Sequence, residues 1–263
     1  MSKLQEKLER ISEGNAQPLG FGPAVARTKI APMLVIASVP ARNTELIAIA
    51  TKEGADALLV SVENLEKDNK SLARIGRDKV DMPWGVSLDT VTRQDIEKLI
   101  EIGCDFVIFT PAKTPAEVLT EERIGKVLKI DTSMTDSLAR SVNRLQVDAV
   151  LISPASGDES NLTVHQLMMF ERLAGVTGKH LLAAMPPGLS AAELEIFWGL
   201  EVRGLVVDLT VEQPERRLSE VKQAIQKLPT TRKKTKEKMR ATLPAHKAPS
   251  EKGESEEDEE EEP

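Results

Sequence analysis

The chain has 263 residues, 40% hydrophobic and 29% charged, a globular balance with length for one large domain or two small ones. One cysteine excludes an internal disulfide framework and a cysteine-rich metal site, and the absence of tyrosine excludes phenol-based acid–base chemistry. A net charge of −7 with 3% aromatic residues argues against general nucleic-acid binding, which needs basic patches and stacking faces.

Taken in order, Met1-Ser2-Lys3-Leu4-Gln5-Glu6 opens a charged segment rather than an apolar targeting sequence. Leu4–Ile11 has helical spacing and is expected to pack across one end of a larger fold. Gly20-Phe21-Gly22-Pro23 is a turn-rich lead-in; it is no GxGxxG fingerprint and follows no strand. A unit then recurs: a short β-rich run, a polar turn, and an amphipathic segment closing near glycine. The expected strands are Met33–Ser38, Ala57–Val62, Trp84–Leu88, Phe106–Thr110, Val127–Asp131, Ala149–Ser153, Leu181–Met185 and Leu205–Leu209. The expected helices are Thr44–Lys52, Leu65–Ile75, Arg93–Ile102, Pro115–Glu122, Asp136–Leu145, Thr163–Val176, Ala191–Leu200 and Glu215–Leu228. Asn43 precedes one helix, Thr92 with Asp95 makes a candidate capping box for another, and Pro214 suits a first turn.

From Thr230 the composition turns basic, then rich in Pro, Ser and Lys, then ends in the acidic run Glu256–Glu262. Apolar residues there are too sparse to repay ordering, so a disordered solubilising tail is expected, with a protein-binding tail as the alternative. The expected organisation is an N-terminal helix and lead-in over 1–29, a folded domain over 30–229 and the tail over 230–263. No apolar run approaches the roughly 18–20 residues of a membrane span, so a cytoplasmic protein without membrane contact is expected.

Strands and helices in strict alternation point to a parallel sheet. Eight such units are the number that closes an α/β (β/α)8 barrel, with an open doubly wound sheet as competitor. In a barrel the site lies at the C-terminal strand ends. Strands alternate faces, so in Val127-Leu128-Lys129-Ile130-Asp131 the charged Lys129 and Asp131 share a face with Val127. By the same parity Ser61 goes with Glu63, Ser87 with Asp89, and Val206 with Asp208. Ser153 ends its own strand. Lys129 is therefore the central candidate, with Asp131 and Asp89 as acid–base partners or hard-cation ligands, Mg2+ being the metal such oxygens suit. Glu63, Ser61, Ser87, Asp208 and Ser153 are expected to bind substrate. Burying Lys129 is costly unless it is paired or used. The structural alternative is an ion pair with Asp131 or Asp89, and strand-end Asp residues also cap following helices. Carboxylates beside the amine favour its charged form and so proton transfer or electrostatics over Schiff-base chemistry.

Other residues contribute less. His165 falls on a helix, His180 at the N-terminal end of a strand, and His246 in the tail. Cys104 also starts a strand and reads as core. Met168-Met169-Phe170 and Phe197-Trp198 fall on helices that cover the barrel or meet a second copy. The turns after the last two strands, Pro186-Pro187-Gly188 and Leu209–Glu212, lack the N–H-rich phosphate cradle usual there. Ser156-Gly157 with Lys113 or Arg42 is a substitute.

The strand–helix count and strand-end polarity over about residues 30–229 resemble the aldolase-type barrel superfamily. Ala31-Pro32-Met33 entering the first strand, with Thr44-Glu45-Leu46 opening its helix, resembles flavin-dependent nitronate monooxygenases, which would imply bound FMN. The expectation is an aldolase-, lyase- or isomerase-like enzyme acting on a small polar metabolite. A non-catalytic barrel binding a ligand or partner, and an FMN oxidoreductase, are the alternatives; homo-oligomer formation is left open.

Overall fold

The computed structural model describes residues 1–13, 31–77, 82–154, 162–186 and 189–229. Met1–Arg232 form one compact unit, and the second, Lys233–Pro263, falls outside the described residues. So do the expected Gly20–Pro23 turn, the Ser156-Gly157 loop and the charged tail. Eight parallel strands close on themselves in chain order: β1 (Leu34–Pro40), β2 (Ala57–Ser61), β3 (Trp84–Leu88), β4 (Phe106–Phe109), β5 (Gly125–Asp131), β6 (Ala149–Ser153), β7 (His180–Ala184) and β8 (Val202–Asp208). The helices are α1 (Lys3–Glu13), α2 (Thr44–Lys52), α3 (Leu65–Arg77), α4 (Arg93–Glu101), α5 (Asp136–Ser141), α6 (Val164–Val176), α7 (Ala191–Gly199) and α8 (Pro214–Lys227). This is the α/β architecture of a closed (β/α)8 barrel, and the open doubly wound alternative is ruled out by the pairing of β1 with β8. No described helix is long and apolar enough to cross a membrane.

Local chemistry sets the helix starts. The Asn43 side chain accepts from Leu46 N–H, and Thr92 with Asp95 forms the expected capping box. Thr163 with Gln166 and Ser190 with Glu193 repeat that device on α6 and α7. Pro214 occupies the first turn of α8.

Three expected elements came out differently, the first being the helix over Asp136–Leu145, which ends at Ser141 and passes into a 3-10 turn, Val142–Arg144. Between β4 and β5 the segment Pro115–Glu122 is no α-helix but a 3-10 turn, Ala116–Thr120, whose N-cap Pro115 supplies no side-chain cap. Buried Lys126 takes over the free carbonyls of that turn, its Nζ donating to Leu119 O at 2.8 Å and to Glu121 O. Burial pushes the Lys126 amine below its usual range. The last strand starts at Val202, three residues early, after Glu201 turns the chain at φ 66°. Gly204, which broke the apolar run in the sequence, fits there because a Cβ would lie 2.8 Å from Leu182.

Strand faces split the core in two. Val60, Leu88 and Ile130 pack outward against the helices, where Phe170 and Phe197 meet edge to face at 5.1 Å. Of the helix residues expected to cover the barrel, Phe170 and Phe197 are buried, Trp198 packs partly against this layer, and Met168 is exposed. Inward side chains stack in levels of four drawn from alternate strands. The register places Phe106 with the small Ala57, Ala149 and Gly204, so one ring fills a level that three small residues leave open. Leu59, Ile108, Leu151 and Val206 form an apolar level above it.

α1 closes the opposite end of the barrel. Its Leu4, Leu8 and Ile11 join the inner core, and Asp105, ahead of β4, accepts from the backbone N–H of Lys3 at 2.8 Å and Leu4 at 2.9 Å. A carboxylate on free N–H groups complements a helix N-terminus. Leu8→Ala should destabilise the protein by about 2–5 kcal/mol in urea unfolding; an unchanged midpoint would show that α1 does not seat in the barrel.

Candidate functional site

At the C-terminal end of the barrel the inward face turns polar. The level above Leu59, Ile108, Leu151 and Val206 consists of Ser38, Ser87, Lys129 and Ala184. Lys129 is its one long side chain, as Phe106 is in its own level. Here the space left by three small neighbours stays open. The result is a cavity of about 750 Å³, lined at its rim by Asp131, Ser133, Ser153, Asp208 and Thr210. Among its described lining residues Lys129 is the single cation.

The amine of Lys129 has no ion pair or hydrogen bond among the described residues. The pairing with Asp131 or Asp89 that a structural role would need is not made. Asp131 is held elsewhere: its Oδ1 accepts from the Ser133 backbone N–H at 2.7 Å and from the Ser133 hydroxyl. Its Oδ2 has no such partner among the described residues. Asp208 uses both oxygens, taking Thr210 N–H at 2.9 Å on Oδ1 and the Thr210 hydroxyl at 2.8 Å on Oδ2. These are Asx-type turns, in which a short carboxylate side chain bonds its own backbone two residues on. Ser38 and Ser61 hydroxyls lie 3.4 Å apart, and Ser153 donates to Ile130 O at 3.4 Å, a long contact.

Glu63 and Asp89 face a second concavity of about 850 Å³, which shares Pro40, Ser61 and Ser87 with the first. They lie beyond the ends of β2 and β3, where the loop path and no longer strand parity decides direction. The structure thus groups Lys129, Asp131, Asp208, Ser61, Ser87 and Ser153 around one cavity and sets Asp89 and Glu63 in its neighbour. Arg42 on that side is engaged by Asp68 at 2.8 Å, and exposed Lys113 lines neither cavity.

The described residues gather no group of three or more His, Cys, Asp or Glu side chains that could hold a metal ion. Asp89 and Asp131 therefore do not build a dedicated Mg2+ cage. The described residues at the β7 and β8 ends do not build a cradle for the phosphate of FMN either. Thr210 N–H is spent on Asp208, Ser190 N–H on Glu193, and Leu189 N–H on Pro186 O, while α8 begins with a proline. Pro187 and Gly188 lie outside the described residues.

The histidines and the cysteine sit away from this mouth. His180 starts β7 at the far end, Nδ1 3.1 Å from the Ser12 hydroxyl, and burial lowers its pKa. Cys104 is buried before β4, its Sγ 3.3 Å from Phe106 O, and burial pushes the thiol up. Ser133 and Thr210 were absent from the sequence-derived set. Their signal was present, since Asp131-Thr132-Ser133 and Asp208-Leu209-Thr210 repeat one Asp-x-Ser/Thr spacing at strand ends.

No protein-family profile matches the chain, and no curated protein sequence matches it. Solved structures do match in fold. A tryptophan synthase structure from Mycobacterium tuberculosis has a TM-score of 0.55 at 14% identity, covering 73% of this chain and 92% of that one. A protein from Aquifex aeolicus VF5 reaches 0.59 at 12% identity, covering 85% and 99%. Phosphoribosyl anthranilate isomerase from Thermus thermophilus gives 0.55 at 14%, covering 74% and 98%. Likeness at this identity establishes the barrel, and the site must be argued from its own residues.

An unpartnered amine in a cavity contributes little to folding. Lys129→Met should leave stability within about 0.5 kcal/mol of the wild type, or raise it. A loss of about 3–5 kcal/mol, as when a buried ion pair is broken, would instead assign Lys129 a structural role.

Proposed function

We propose that this protein is a lyase- or isomerase-class enzyme that moves a proton at the carbon next to a carbonyl in a small polar metabolite. The observation that carries the reading is the ammonium of Lys129, without a partner among the described residues, in a cavity with an apolar floor. A folded chain keeps a charge in such a place only at a cost, and a ligand oxygen is the partner it lacks. An ammonium aimed at a carbonyl oxygen stabilises the negative charge that develops there when the adjacent carbon loses a proton.

The proton needs an acceptor of its own. Asp131 Oδ2 has no donor among the described residues, while Oδ1 is fixed by Ser133, so the carboxylate is oriented with one oxygen available. Asp208, with both oxygens on Thr210, is suited to the rim, where it accepts from substrate hydroxyls. Ser38, Ser61, Ser87 and Ser153 offer hydroxyls that can donate or accept around a polyhydroxy or oxo-acid skeleton. Glu63 and Asp89 bind whatever part of the substrate extends into the second concavity. The free-energy demand on Lys129 and Asp131 is that of one electrostatic and one acid–base contribution, each about 10²-fold or more in rate.

Proton exchange can be followed before the substrate is known. Dihydroxyacetone, glyceraldehyde, pyruvate and 2-oxoglutarate incubated with the protein in D2O should include at least one whose α-proton signal decays by NMR. Lys129→Met and Asp131→Asn should each slow that decay by about 10²-fold or more. Exchange that persists undiminished in Lys129→Met removes the assignment.

A further inference from the structure

Arg172 lies on α6, outside the cavity, and its guanidinium crosses to the loop between β5 and α5. There it donates through Nη2 to the carbonyls of Thr132 and Met134, both at 2.9 Å, and through Nη1 to Asp136 Oδ1 at 2.7 Å. Those two carbonyls flank Ser133, whose N–H and hydroxyl both hold Asp131. A continuous set of contacts thus runs from α6 through the loop to the carboxylate. The third edge of the guanidinium is not satisfied: Nε is buried and has no partner among the described residues. The side chain is oriented for the loop at the expense of that group.

Lys129 and Asp131 leave the same face of β5 two positions apart, with about 6.6 Å between their Cα atoms. A lysine side chain spans that gap. At an unrestrained strand end the two would close into an ion pair, and the ammonium would no longer be free for a ligand. We infer that Arg172 is a positioning residue: by fixing the carbonyls on either side of Ser133 it keeps Ser133 on Asp131, and so keeps Asp131 off Lys129. A rigid fork reaching two carbonyls and a carboxylate at once is a task for arginine, since lysine has one point charge to offer. The inference rests on the reading that Lys129 works as an unpaired ammonium, but its test needs no turnover.

The test is acylation of the intact protein by sulfo-N-hydroxysuccinimide acetate, read at Lys129 by peptide mass spectrometry against exposed Lys98. Arg172→Met should slow Lys129 relative to Lys98 by about two- to fivefold, the weight of a partly exposed ion pair. Adding Asp131→Asn to Arg172→Met should restore the wild-type ratio, and Arg172→Lys should fall between. General loosening of the loop would act in the opposite direction, speeding acylation, and would not respond to Asp131→Asn. Ser133→Ala leaves the guanidinium and the backbone N–H in place, removes the hydroxyl from Asp131 and should give a smaller slowing of the same sign, which covers the case in which Arg172→Met folds poorly. Unchanged or faster acylation in both variants overturns the inference. Slowed acylation in a protein whose Lys129→Met variant loses no proton exchange would leave the positioning role standing and remove only the proposed reaction.

Discussion

Closure of the barrel is the constraint on which everything else depends. Once eight parallel strands are joined edge to edge, each inward side chain belongs to a level shared with three others from alternate strands. The volume of a level is fixed, so a long side chain demands short neighbours. Phe106 has Ala57, Ala149 and Gly204, and the level is full. Lys129 has Ser38, Ser87 and Ala184, and the level stays open to solvent above an apolar floor. The same packing rule that fills the lower barrel therefore creates the cavity at its upper end. α1 covers the other end of the lumen with Leu4, Leu8 and Ile11.

The loops at that mouth are held by polar side chains anchored outside it. Arg172 on α6 holds the loop after β5, and Arg217 on α8 holds the loop after β7 through the carbonyls of Pro186 at 3.0 Å and Leu189 at 3.4 Å. Burial lowers the pKa of Arg217, whose guanidinium has those carbonyls for partners. Two aspartates at strand ends are tied to a residue two positions on, Asp131 to Ser133 and Asp208 to Thr210. Both oxygens of Asp208 and one of Asp131 are in this way engaged by their own loops. Separation of Lys129 from Asp131 and Asp208 is thus a product of loop geometry, and in the proposed reaction the ammonium meets its ligand without first breaking a contact to a described residue.

Much of this was legible in the residues. Alternating units revealed the barrel, and period-two parity put Lys129, Asp131 and Asp208 on the inward face because each lies inside a strand. Parity said less about Glu63 and Asp89, which stand past the strand ends and turn into the neighbouring concavity. The levels were not legible, since they require the register of all eight strands. The 3-10 turn at Ala116–Thr120 was hidden because Pro115 suits a helical first turn and Ala116, Glu117 and Leu119 are good helix formers, while its deciding partner, Lys126, sits in the next strand. Ser133 and Thr210 could have been found from the shared Asp-x-Ser/Thr spacing. Arg172 could not, because its contact with Thr132 spans 40 positions and depends on how α6 packs beside α5.

All of this requires that side chain 129 project from β5 into the lumen, below the rim formed by Asp131, Ser153 and Asp208. The most direct measurement is thiol labelling of a Lys129→Cys variant, in which the only other thiol, Cys104, is buried. Methyl methanethiosulfonate and a maleimide carrying a long polyethylene glycol chain would be compared with a Lys98→Cys control on the exposed face of α4. Position 129 should react readily with the small reagent and far more slowly than position 98 with the bulky one. Equal rates with the bulky reagent at both positions, or no reaction of position 129 with either, would contradict the account.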